Sequence, residues 1–201
     1  FNAGDNTKAI EFHLRSLTIS EKLKDSLYMG TALNGIGAAY NNNPAMVDKA
    51  LEYYLRALPI FQGIDYEAGT GIIAMNVGEI YKKKKRYDSA IIYFDESLEV
   101  YRNTIDATFP LNMLGAVYAE LGDYKEALMY QNKALEIARE LNAKFEISQS
   151  LLSIGQTLRK QGRTNESVRY FRDAIIVSKE IDAKEQLKES YGGLAKAYAT
   201  I

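Results

Sequence analysis

The stretch LNMLGAVYAELGDYKEALMYQNKA, residues 111–134, decides the fold. It opens with Leu111, Leu114, Gly115 and Tyr118 and closes with Ala127, Gln131 and Ala134. Spacings of i, i+3, i+4 and i+7 mark one face of an α-helix, so the stretch reads as two amphipathic helices. Between them, Gly122 stands where a helix ends in a left-handed residue, and Asp123 follows as a candidate N-cap.

Working outward, the first pattern returns as Leu33/Ile36/Gly37/Tyr40, Ala74/Val77/Gly78/Tyr81 and Leu151/Ile154/Gly155/Leu158. A further copy, Tyr191/Leu194/Ala195/Tyr198, keeps the spacing with Ala in place of Gly. The second pattern returns as Ala50/Tyr54/Ala57, Ala90/Phe94/Ser97 and Ser167/Phe171/Ala174, with an isolated copy at Ala9/His13/Ser16. The second-pattern blocks start 41, 40, 37 and 40 residues apart, so the chain reads as tandem helical hairpins. Asn41-Asn42-Asn43-Pro44 and Gln161-Gly162-Arg163-Thr164 supply turns inside hairpins, the second with Thr164 as a candidate N-cap. Between hairpins, Asp65, Asp106, Asn142 and Asp182 each follow an apolar residue and read as N-caps of the next helix.

Matched several times in phase over essentially the whole chain, these residues resemble the tetratricopeptide repeat. The resemblance implies an all-α, right-handed α-solenoid of antiparallel helix pairs, with about ten helices. Copies near 40 residues, against the usual figure of about 34, are similar to the long-helix subgroup. The expected segments are a lone second helix in 1–24, helix pairs in 25–63, 64–104, 105–141 and 142–181, and a closing first helix in 182–201. Ile105 precedes Tyr118 by 13 residues where Ile64 precedes Tyr81 by 17, so one first helix should lack a turn, with Pro110 near its start. The chain opens on Phe1 rather than Met and in a second helix, so a piece of a longer protein is expected. Neighbouring repeats or a second copy would then cover the ends, giving a homo-oligomer through repeat ends.

The Gly and Ala positions should let paired helices approach closely. Tyr40, Tyr81, Tyr118, Tyr54, Phe94 and Phe171 should fill the space between successive pairs as core. Because each hairpin buries its apolar face on the next, stability should follow nearest-neighbour stacking.

Reactive chemistry is thinly supplied. No Cys is present, which removes thiolate metal sites and Cys nucleophiles, and His13 is the only imidazole, placed at an aromatic position of the repeat. Carboxylates such as Glu96/Glu99, Glu136/Glu140 and Asp173/Glu180 lie among Lys and Arg at ordinary solvated spacings. No metal, no cofactor and no enzymatic activity are therefore expected. A formal net charge of -1, with signs interspersed, gives no field for a phosphate backbone, so nucleic acid is not an expected partner. The basic run Lys82-Lys83-Lys84-Lys85-Arg86 reads as a helix end and turn. No stretch approaches the roughly 20 apolar residues that cross a bilayer, so no direct membrane insertion is expected. The compartment stays open.

The family resemblance also implies that first helices line the concave side of the stack. Positions around each repeat Gly then form a candidate peptide-binding groove: Asn34, Asn76, Glu79, Lys82, Asn112, Ser153, Gln156, Arg159 and Lys196. An Asn amide both donates to and accepts from the backbone of an extended peptide. The Lys/Asn/Arg set of carboxylate-clamp members is not reproduced. The expected function is a protein- or peptide-binding scaffold without catalysis. A second expectation comes from ALEIAREL at 134–141 and KESY at 188–191, which are similar to regions preceding bacterial sensor kinases, nucleotide cyclases or transcription regulators. That resemblance implies a sensory or regulatory module.

Overall fold

The computed structural model describes residues 3–200, with side chains from Asn6 onward. Phe1, Asn2 and Ile201, at the ends of the expected first and last segments, lie outside the described residues. Among the described residues there are ten α-helices, two short 3-10 turns and no strand. They divide into two compact units, residues 1–100 and 101–201, each described by itself.

In the first unit α1 (Ala3–Leu23) packs on α2 (Ser26–Asn41), α2 pairs with α3 (Val47–Gly63), and α3 packs on α4 (Glu67–Lys83). The helix α5 (Tyr87–Tyr101) pairs with α4. In the second unit α6 (Thr108–Leu121) pairs with α7 (Tyr124–Glu140), α8 (Lys144–Lys160) pairs with α9 (Thr164–Glu180), and α10 (Lys184–Tyr198) closes on α9. The short first helix is α6, with 14 residues against 17 in α4 and α8. A 3-10 turn, Ile105–Ala107, precedes it, and Pro110 sits buried in its first turn, where a missing N–H breaks no helical bond.

Local chemistry sets most of the helix ends. Gly122 and Gly162 both take a φ of 83°, a left-handed conformation that Gly adopts without steric cost. Asp123 then accepts from the Glu126 backbone N–H at 3.2 Å and caps α7. Asn43 accepts from the Ala45 N–H at 3.0 Å, with Pro44 opening the 3-10 turn that leads into α3.

The junctions between hairpins differ from the sequence expectation. Asp65, Asn142 and Asp182 have φ of 53°, 51° and 51°, so they terminate the preceding second helix instead of capping the next one. Short polar side chains tolerate the left-handed region better than other residues with a Cβ, which explains their recurrence there. The helices that follow start behind Tyr66, Ala143 and Ala183 with no side-chain cap. Asp106 lies in the 3-10 turn, and Thr164 is the first residue of α9 rather than its cap.

Close approach at the repeat Gly organises each pair. A Cβ on Gly37 would lie 2.7 Å from the Tyr54 ring, on Gly78 2.6 Å from Phe94, and on Gly155 2.9 Å from Phe171. Those three rings are fully buried, as the sequence implies. The other aromatic set behaves differently. Tyr40, Tyr81 and Tyr118 are half-buried and stack on Tyr53, Tyr93 and Tyr130 of their own second helices, at centroid distances of 5.7, 5.5 and 5.5 Å. They seal the edge of a pair, because position i+3 of the second-helix block carries a Tyr in each of these pairs.

Candidate peptide-binding faces

The first helices of each unit carry the predicted groove residues, and the repeat register sorts them by direction. A Cβ on Gly35, two residues before the repeat Gly37, would lie 2.4 Å from the His13 ring. One on Gly193, two before Ala195, would lie 2.5 Å from Phe171. That position therefore faces the preceding second helix. Asn76 and Ser153 share this register on α4 and α8, and both are half-buried.

The position three before the repeat Gly turns sideways, toward the next first helix. In the second unit Asn112 is 3% exposed and its Nδ2 donates to the Ser150 Oγ of α8 at 3.0 Å, leaving its Oδ1 without a donor. In the first unit Asn34 is half-buried, and its Oδ1 is buried without a donor. The difference traces to the partner position, since the place of Ser150 is taken in α4 by the fully buried Ile73.

The position just after the repeat Gly points outward. Gln156 on α8 and Lys196 on α10 are exposed, and Glu79 on α4 is half-buried. One turn on, Lys82 and Arg159 are half-buried. The structure thus brings Asn34, Asn76, Glu79 and Lys82 onto the first helices of one unit, and Asn112, Ser153, Gln156, Arg159 and Lys196 onto those of the other.

Glu79 also marks where the second-helix ring reaches the first-helix face. Burial, reinforced by the neighbouring Glu79 carboxylate, pushes the Tyr54 phenol up to about 12. In the unfolded chain a tyrosine loses its proton near 10. The folded state therefore holds the proton more tightly, and this contribution to stability is complete below pH 10 and is lost as pH rises from 10 to 12. Thermal melts between pH 8 and pH 12 should show that loss, and Tyr54→Phe should flatten it. An unaltered slope in the Phe variant would remove Tyr54 as its source.

His13 spends its ring on packing over Gly35. Of the basic run, Lys83 ends α4, Lys84 pairs with Asp48, Lys85 turns left-handed at φ 57°, and Arg86 lies 5.2 Å from the Tyr81 ring centroid. Among the described residues no group of three His, Cys, Asp or Glu is placed to hold a metal, and no helix is long and apolar enough to cross a membrane. Two buried polar residues stand out only in the structure: Ser150, which accepts from Asn112, and Gln131, which is 1% exposed with its Oε1 lacking a donor. The signal for Gln131 was present, an amide where the other complete pairs carry Tyr or Phe.

The tetratricopeptide repeat family model matches residues 45–103 and 106–180, well over half of the chain. Heat shock protein STI1 of Saccharomyces cerevisiae is 33% identical over 86 residues, which is 42% of this chain and 14% of that protein's length. The crystal structure of BtubC (BKLC) from P. vanneervenii superposes with a TM-score of 0.79 at 16% identity, covering 96% of this chain and 83% of that one. The apo form of the quorum sensor NprR from B. thuringiensis gives 0.79 at 20% identity, over 95% of this chain and 54% of that one. A Rap protein complexed with competence and sporulation factor gives 0.67 at 14%, over 98% and 60%. At these identities the solved structures speak for the fold, an α-solenoid of helix pairs.

Proposed function

The chain belongs to the tetratricopeptide repeat family, and from that premise we propose a non-catalytic scaffold that binds a protein or peptide along the outward faces of its first helices. The observation that carries this reading is unspent hydrogen-bonding capacity on those helices. Asn34 and Asn112 each keep a carbonyl oxygen with no donor, while Gln156 and Lys196 stand exposed with no part in the core. An extended segment laid across first helices supplies main-chain groups to an exposed amide such as that of Gln156.

The likeness in fold to a quorum sensor and to a Rap protein seen with a factor bound favours a second reading. In it, the bound segment is a signal and the repeat array regulates an output. Self-association is a third partner arrangement, supported by the stripe Phe12, Ile19 and Leu23 on α1, exposed at 67%, 58% and 72%. Sedimentation velocity tests it, and a monomer at all concentrations would remove it.

The binding reading is tested with peptides selected on this chain from a displayed library of random dodecamers. Gln156→Ala combined with Arg159→Ala should weaken the selected peptide about tenfold or more, a loss of about 1.4 kcal/mol, with circular dichroism unchanged. Full affinity in that variant, together with a loss in Ile92→Ser or Met129→Ser on the exposed side of second helices, would move the site off the first helices.

A further inference from the structure

The cations that follow α4 gather at one place, the turn edge of the first unit. The Lys84 ammonium pairs with Asp48 at the start of α3, which brings the α4/α5 turn beside Lys49. Lys49 lies 5.4 Å from the Tyr40 ring centroid, and Arg86 lies 5.2 Å from that of Tyr81. Tyr40 and Tyr81 hold the same register on α2 and α4, which touch, so these two cations stand roughly one helix spacing, 8–10 Å, apart. Lys83 and Lys85 are exposed beside them. Against these cations the same elements carry Asp48, already paired, and Asp88 in the first turn of α5.

Folding does not require this cluster. The first helices α2 and α6 end with no basic residue in the last turn, so a helix end here forms without one. Lys85 adds a second anomaly. Three hairpin turns share one shape, in which the backbone N–H of Arg86, Asp123 or Arg163 donates at 2.9 Å to the carbonyl of Tyr81, Tyr118 or Leu158. The left-handed residue before that donor is Gly122 in one turn, Gly162 in another, and Lys85, at φ 57°, in the third. A Cβ is unfavourable in that region, and like charges side by side repel. A lysine held where glycine fits better, inside a run of like charges, points to a role outside the chain's own packing.

We propose that the turn edge of the first unit, formed by Lys49, Lys83, Lys85 and Arg86, docks an acidic segment of a partner protein, a run of Asp and Glu side chains. This docking uses turns rather than the faces of first helices, so it stands independently of the peptide-binding reading above. A single phosphoryl group is held best by donors converging on one point, whereas these cations are spread over two turns. In extended backbone, side chains of one face recur about every 7 Å, so successive carboxylates of one segment meet Lys49 and then the α4/α5 turn. The Tyr40 and Tyr81 rings already carry both a second ring and a cation, which disfavours stacking of a nucleic-acid base on them.

The test uses a fluorescent deca-glutamate peptide at about 10 mM ionic strength, where charges act over about 30 Å. Wild type should bind it, with affinity falling as salt is raised. Lys49→Gln combined with Lys83→Gln and Lys85→Gly should weaken it about tenfold or more and flatten the salt dependence, with circular dichroism unchanged. Lys85→Gly alone should melt higher, by roughly 2–4 °C, and still bind more weakly than wild type. As a control, Lys125→Gln with Lys133→Gln and Lys184→Gln removes the same charge from exposed lysines of the second unit and should bind like wild type. An equal loss in that control would reduce the effect to net charge and overturn the proposal. So would no binding by wild type, or full affinity in the first triple variant. A lower melting temperature in Lys85→Gly with binding kept would assign that lysine to the fold and overturn its place in the patch. Tighter binding of a deoxythymidine decamer than of deca-glutamate would give the patch to nucleic acid and overturn the choice of partner.

Discussion

Phe171→Ala is expected to destabilise the second unit by about 3–5 kcal/mol, the range for emptying a large aromatic site in a core that cannot collapse around it. The ring is fully buried, and two glycines hold it, Gly155 from its own first helix and Gly193 from α10. Neither glycine has a side chain that could fill the void, so relaxation would require backbone movement of α8 or α10. In a stack stabilised by neighbours, the effect should spread along α8, α9 and α10. Denaturant unfolding gives the magnitude, and hydrogen exchange gives the place. Early exchange in these three helices is expected. A loss under about 1 kcal/mol would mean the ring is not the joint between them.

Gly115→Leu is expected to cost about 1–3 kcal/mol by overpacking. Even the first carbon of a side chain there would stand 2.4 Å from the Gln131 Cγ and 2.8 Å from the Ala127 carbonyl oxygen. The side chain of Gln131 can yield, but the carbonyl belongs to the α7 backbone, so the two helices must separate. Gly192→Ala serves as the control, because nothing lies within 4 Å of a Cβ at that place. It should stabilise α10 slightly, by about 0.5–1 kcal/mol from helix propensity. Equal damage from both substitutions in urea melts would show that close approach at the repeat glycine is not what Gly115 provides.

The pairing of helices was legible because one physical requirement, a small residue opposite a large one at helical spacing, repeats in phase. Gly37/Tyr54, Gly78/Phe94 and Gly155/Phe171 are contacts in the structure and adjacent blocks in the sequence. The short α6 was legible from the shortened count before Tyr118. The junction residues were misread, because an Asp or Asn after an apolar residue satisfies either a left-handed helix end or an N-cap. Only the φ at Asp65, Asn142 and Asp182 separates the two.

The candidate site was legible to the level of helix but not of direction. A single residue of shift relative to the repeat Gly rotates a side chain by roughly 100°. Asn112, three residues before its Gly, therefore meets Ser150, while Asn76, two before its Gly, shares the register of Gly35 and Gly193 that faces the preceding second helix. Whether an Asn finds a partner depends on the next first helix, where Ser150 in one unit corresponds to Ile73 in the other. That long-range fact is invisible in the local pattern.

The measurement closest to the functional claim is amide and side-chain chemical-shift mapping of the chain titrated with its selected dodecamer. Perturbations should concentrate on first helices, at residues such as Asn34, Glu79, Gln156, Arg159 and Lys196. A footprint on Leu55, Ile92, Met129 and Ile176, the exposed apolar residues of second helices, with the first helices silent, would contradict it.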